Sequence, residues 1–137
     1  MVILIDTNIL IDFIVNRDPW SKDANKIFEL CASKQVDGYV SEHSITDAIY
    51  STRKVYSIDD HRNIFKNLLK IIKVAEPTID ELTNAFDDET TDDLEDSIQM
   101  QCAIACGADY IITRDTDYTS SRVPAMTAGE FLSGDLI

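Results

Sequence analysis

An aliphatic run from Val2 to Ile5 gives way at once to Asp6, Thr7, Asn8 and Ile9. Such a run, bounded by a polar turn, reads as a strand buried on both faces. A short apolar helix follows around Ile9 to Ile14, after which Asp18 and Pro19 supply an N-cap and a first-turn proline. The helix they open carries Trp20, Ala24, Ile27, Phe28 and Cys31 on one face at the 3.6-residue period. Gly38 to Ser41 is short and apolar enough for a second strand, and Ile45, Ala48, Ile49 and Thr52 then trace a helical stripe. Ser57 and Asp60 have the spacing of a capping box, opening a helix with Ile64, Phe65, Leu68 and Leu69 inward and His61, Arg62, Lys66 and Lys70 more exposed.

The pattern continues in the same alternation. Ile71 to Ala75 suits a third strand, and Thr78 with Glu81 forms another capping box before Ile79, Leu82 and Phe86. Asp92 or Asp93 begins a helix that runs to Gly107, a fitting residue just past a helix end. Strands from Tyr110 to Thr113 and from Val123 to Met126 precede a short helix near Gly129 to Leu132. Strand and helix in regular succession predict a parallel sheet covered by helices on both faces. With 137 residues, no linker, no repeat and no low-complexity tract, the chain is expected to form one domain over residues 1–137.

Composition narrows the compartment and the partners. No stretch approaches the ~18 uninterrupted apolar residues of a membrane span, and the N-terminus has no basic region of the signal-peptide kind, so a cytoplasmic protein is expected. The three cysteines contain no C-x-x-C and fit a reducing compartment, with Cys102 and Cys106 read as small buried apolar residues. Net charge is −13, distributed unevenly. Ten acids and no Lys or Arg lie between Glu76 and Asp96, whereas Arg53, Lys54, Arg62, Lys66, Lys70 and Lys73 hold six of the twelve basic residues. An acidic chain binds polynucleotides poorly unless a local basic segment, a metal ion, or both offset the phosphate charge.

Four acids stand where such a fold exposes side chains at the carboxyl edge of its sheet, the usual ligand crevice of parallel α/β sheets. Asp6 ends the first strand and Asp115 follows the fourth; Asp47 lies one turn into the helix after the second strand, and Asp96 in the first turn of the helix before the fourth. Clustered carboxylates repel and raise one another's pKa. A Mg²⁺ or Mn²⁺ ion removes that conflict and equips the cluster for phosphodiester hydrolysis, while the absence of a well-placed His or Cys argues against zinc.

Over almost its whole length the chain resembles the PIN-domain nucleases, in their VapC-like branch. The resemblance rests on Ile5, Asp6, Thr7 and Asn8; on Ser41, Thr46 and Asp47; on Asp93, Leu94, Glu95 and Asp96 with Ala103 seven positions after Asp96; and on Thr113, Arg114 and Asp115. It implies a three-layer α/β/α sandwich around a five-stranded, mainly parallel sheet, a metal-dependent endoribonuclease activity, and an acidic pocket for one or two Mg²⁺ or Mn²⁺ ions. Asp6, Asp96 and Asp115 take the family's metal-binding positions, and Asp47 stands where the family usually has Glu. The shorter side chain implies contact with metal through water and weaker activity. Thr113 takes the place of a hydroxyl ligand for substrate or metal-bound water, Asn8 that of a residue orienting Asp6, and Asp93 and Asp117 are further acids nearby. The resemblance also implies an RNA substrate, the toxin role of a toxin–antitoxin pair with its antitoxin as partner, and a homodimer. Arg53, Lys54, Arg62, Lys66 and Lys70 are the candidates for guiding RNA.

Three rival readings meet the same residues. Acids at helix starts and strand ends are ordinary caps and turn formers one by one, but that account leaves their joint order unexplained. A phosphate-accepting receiver domain needs paired acids at the first strand end and a Lys near the last strand, and Val123 to Thr127 has none. A dinucleotide-binding domain lacks its G-x-G-x-x-G. The remaining alternative is a catalytically weakened PIN fold that binds protein or RNA.

Overall fold

The computed structural model describes residues 1–117 and 122–137. Five strands, β1 (Val2–Ile5), β2 (Asp37–Ser41), β3 (Lys73–Ala75), β4 (Tyr110–Ile112) and β5 (Ala125–Met126), form one sheet in the order β3-β2-β1-β4-β5, parallel throughout. Around it lie α1 (Thr7–Ile14), α2 (Ser21–Ala32), α3 (Glu42–Ser51), α4 (Ile58–Leu68), α5 (Ile79–Asp87), α6 (Leu94–Ala105) and α7 (Ala128–Ser133). This is the three-layer α/β/α sandwich expected above.

The period of two along each strand sorts side chains between the layers. Ile3, Ile5, Val40 and Ile112 face a cluster with Ile9 and Leu10 of α1, Ile27, Phe28 and Cys31 of α2, and Phe65, Leu68 and Phe131. Leu4 and Ile111 face the opposite way, onto Met100, Cys102 and Ala103 of α6. Burial on both faces explains why β1 is wholly aliphatic. At Gly38 on β2 an added Cβ would overlap Cys31 Sγ, so the missing side chain sets how closely α2 approaches the sheet. Burial pushes the Cys31 thiol up to about 12, with Asp37 adding to it, and raises those of Cys102 and Cys106 as well. All three are free thiols.

Several local expectations change. Helix α2 starts at Ser21 with Trp20 as N-cap, because Asp18 to Trp20 form a separate turn in which the Trp20 and Ser21 amides donate to Arg17 O. The stripe of α3 buries Ser44 and Ala48 while Ile49 reaches the surface. On α4 His61 is buried, and Leu69, the C-cap just past its end, is exposed. The reversal follows from hydrogen bonding, since His61 Nε2 lies 2.7 Å from Thr52 Oγ1, itself buried. Capping boxes at Ser57/Asp60, Thr78/Glu81 and Thr127/Glu130 open α4, α5 and α7.

Candidate functional site

Strand β1 delivers Asp6 to the sheet edge, where the residue becomes the N-cap of α1 and accepts from the Thr7 amide at 2.8 Å. One side chain therefore ends the strand, starts the helix and faces the crevice. Its Oδ1 also accepts from Gln99 Nε2 at 3.2 Å, and its Oδ2 from Thr113 Oγ1 at 2.7 Å. Gln99 is fixed from behind by the Ser41 hydroxyl, which donates to Gln99 Oε1. Thr113 is fully buried and accepts from Asn8 Nδ2 and from the Asp115 amide, while Asn8 Oδ1 accepts from the Arg114 amide. Thr113 is thus not a hydroxyl turned toward the cleft; it ties the turn after β4 to Asp6. Asn8 acts on Asp6 through it.

A cavity of about 340 Å³ opens above this network, lined by Asp6, Thr7, Asn8, Ile11, Arg17, His43, Asp93, Glu95, Asp96, Gln99 and Asp115. The acids arrive from the end of β1, from the N-cap and first turn of α6, and from the turn after β4. Asp93 caps α6 by accepting from the Asp96 amide at 3.1 Å, so the same local structure aims both carboxylates. Crowding shows in Asp96, whose carboxyl is pushed up to about 6, first by desolvation and then by Asp93, Asp115, Asp6 and Glu95. An all-oxygen cluster in which desolvation and mutual repulsion both oppose the charge of Asp96 fits a hard divalent cation, which would relieve the repulsion.

Of the residues named from sequence, Asp6, Asn8, Asp93, Asp96 and Asp115 line the cavity. Asp117 is exposed outside it and donates its amide to Asp115 Oδ1. Asp47 is also outside. One turn after His43 on α3, it forms a group with His43 and Glu95 whose ligating atoms lie within 4.8 Å of one another. His43 and Glu95 both border the cavity, so Asp47 meets its rim rather than its floor. The expectation that no His is well placed does not hold, for His43 is on the wall. Arg53, Lys54, Arg62, Lys66 and Lys70 are exposed and do not line the cavity. Gln99 could have been found, since it lies three residues after Asp96 on the same helical face. Arg17 had no local signal.

Arg17, itself on the wall, belongs to a charged cluster that extends behind it. Asp12, on α1, is fully buried. Arg17 Nε donates to its Oδ1 at 2.8 Å, Arg114 Nη2 reaches the same oxygen at 3.2 Å, and Arg114 Nε lies 2.9 Å from Oδ2. The Arg114 guanidinium sits 3.9 Å from the centroid of the Trp20 ring.

The family profile described as the PIN domain matches residues 2–117. No curated protein sequence matches the chain. Among solved structures, a toxin–antitoxin complex from Klebsiella pneumoniae is similar with a TM-score of 0.69 at 20% identity, covering 91% of this chain and 96% of that one. VapBC-1 from nontypeable Haemophilus influenzae is similar at 0.67 and 15% identity, covering 94% and 99%. Mycobacterium tuberculosis VapC20, a toxin that cleaves the sarcin–ricin loop, is similar at 0.66 and 17% identity, covering 88% and 95%.

Proposed function

Because the chain belongs to the PIN-domain family, we propose that it is a Mg²⁺- or Mn²⁺-dependent endoribonuclease acting as the toxin of a toxin–antitoxin pair. The observation that carries this reading is the gathering of Asp6, Asp93, Asp96 and Asp115 from separate elements around one cavity. Asp6, Asp96 and Asp115 are the residues we assign to the metal, with Asp93 beside them. When bound, a hard divalent cation polarises phosphoryl oxygens and lowers the pKa of attacking water. The protein's own part is positional. Gln99 and Thr113 hold the Asp6 carboxylate from two sides, and Thr113 also fixes the turn that presents Asp115. Such pre-set geometry lowers the reorganisation that catalysis would otherwise require.

The biological role is supported by likeness to a sarcin–ricin-loop-cleaving toxin and to a toxin–antitoxin complex. From the toxin–antitoxin complex we infer an antitoxin protein as partner; a homodimer as the working assembly rests on the family resemblance alone. One observation favours the weaker alternative, a binding module of reduced activity: Asp47 sits at the rim with a side chain shorter than Glu. Metal-dependent cleavage separates the two. Purified protein incubated with structured and single-stranded RNAs should cleave in Mn²⁺ or Mg²⁺ and not in chelator, and Asp6→Asn should lower the rate at least ~100-fold. Equal cleavage by that variant would remove the acid cavity from the reaction.

A further inference from the structure

We propose that Arg17 is the phosphate-binding residue of the acidic cavity, contacting the non-bridging oxygens of an RNA phosphodiester. The inference rests on the ribonuclease reading above. A cavity walled by Asp6, Asp93, Glu95, Asp96 and Asp115 attracts a cation but repels the polyanion on which it would act. Among the described residues, Arg17 is the one Lys or Arg that lines that cavity.

Its charge is not cancelled by its partner. Asp12 brings one negative charge, whereas Arg17 and Arg114 bring two positive ones, and among the described residues Asp12 is the partner in every ion pair they make. One positive charge is therefore left over beside the cavity. Arg114, stacked on Trp20 and paired along both Asp12 oxygens, is the more enclosed of the two, with a side chain 29% exposed against 40% for Arg17. The excess is accordingly presented at Arg17.

Geometry also leaves donors in hand. A guanidinium has five N–H groups in a rigid fork. Arg17 turns Nε and Nη2 toward Asp12 Oδ1, each at 2.8 Å, while among the described residues no hydrogen bond or ion pair engages Nη1. Anchoring by a buried carboxylate holds the plane of the fork, so the outer edge meets a phosphate at little cost in side-chain entropy. A lysine at this position would supply charge without the planar pair of donors.

The test uses Arg17→Gln and Arg17→Lys with Arg114→Gln as the control for damage to the Asp12 cluster. A single-stranded oligoribonucleotide is the probe, with Mn²⁺ affinity followed by calorimetry. Arg17→Gln should weaken RNA binding by ~10-fold or more and reduce the salt slope by about one, chiefly raising KM, while Mn²⁺ binds as before. Arg17→Lys should recover part of the loss, and Arg114→Gln, which removes the surplus charge of the cluster but leaves the Arg17 fork, should lower thermal stability and weaken RNA binding by less than Arg17→Gln does. For the unaltered protein in Mg²⁺ buffer, dimethyl phosphate should shift the Arg17 Nε–H resonance ahead of the other arginines. Wild-type RNA affinity and KM in Arg17→Gln, or an unmoved Arg17 resonance, overturns the proposal while leaving the ribonuclease intact. A wild-type protein that neither binds nor cleaves RNA in Mn²⁺ overturns both.

Discussion

Asp96 carries the clearest conflict between stability and chemistry in the molecule. Its carboxyl titrates at about 6 in the folded chain and at an ordinary 3.8 unfolded, because desolvation and four neighbouring acids oppose its charge. Between those values the folded state binds the proton more tightly, so in chelator this group stabilises the fold most below pH 3.8 and that contribution fades as pH rises through about 6. Asp96→Asn should therefore be more stable than the parent at pH 7 by ~1 kcal/mol after solvent screening, with the advantage shrinking toward pH 4, and should lose the Mn²⁺-dependent rise in Tm. Urea melts of both proteins at the two pH values measure this, and an equal difference at both would contradict the repulsion described. At this scale Asp6, Asp93, Asp96 and Asp115 were legible because each is tied to a strand end or helix start that the chain announces locally. Arg17 and His43 were not, since their place depends on how separate elements pack.

Elements were legible wherever a cap and a period agreed. Thr78 with Glu81 marks the start of α5 as read, and Gly107, at φ +71°, terminates α6 in the left-handed conformation that glycine tolerates. On α4 the polar pattern places His61 outward, yet the residue is buried, because an imidazole counts as apolar only once Thr52 supplies its hydrogen bond. Asp18 and Pro19 carry a capping signal, but the turn around Arg17 delays α2 by a few residues. The contact between α2 and β2 yields a sharper expectation. Gly38→Ala forces a methyl group against Cys31 Sγ and should cost ~1–3 kcal/mol, measured by urea unfolding. Cys31→Ala in the same chain should return part of that loss, as coupling between touching residues requires. Additive losses in the double variant would show that the clash is relieved elsewhere.

For the whole molecule, alternation of strand and helix was enough to foresee layers and sheet direction, whereas strand order lay beyond it, because neither β2 nor β4 announces that it flanks β1. No helix among the described residues is long and apolar enough to cross a membrane. Charge is segregated as the sequence suggested, with Arg53 and Lys54 exposed near the end of α3 and ten acids over residues 76–96. If that basic segment steers RNA, reversing Arg53 and Lys54 to Glu should raise the apparent Kd and flatten its salt dependence, with Mn²⁺ binding unchanged. Unaltered RNA affinity would make it a solvated or partner-binding face. The strand order has a temporal meaning as well. β1 is made first yet lies between β2 and β4, and the Asp6 amide donates to Ile112 O, more than a hundred residues later. A chain emerging from the ribosome at ~5–20 residues per second must hold its first strand without one of its neighbours for several seconds. Asp6 and Asp115 can meet only when synthesis has passed residue 115, so the acid cluster stays open for the whole time that residues 7–115 are being added.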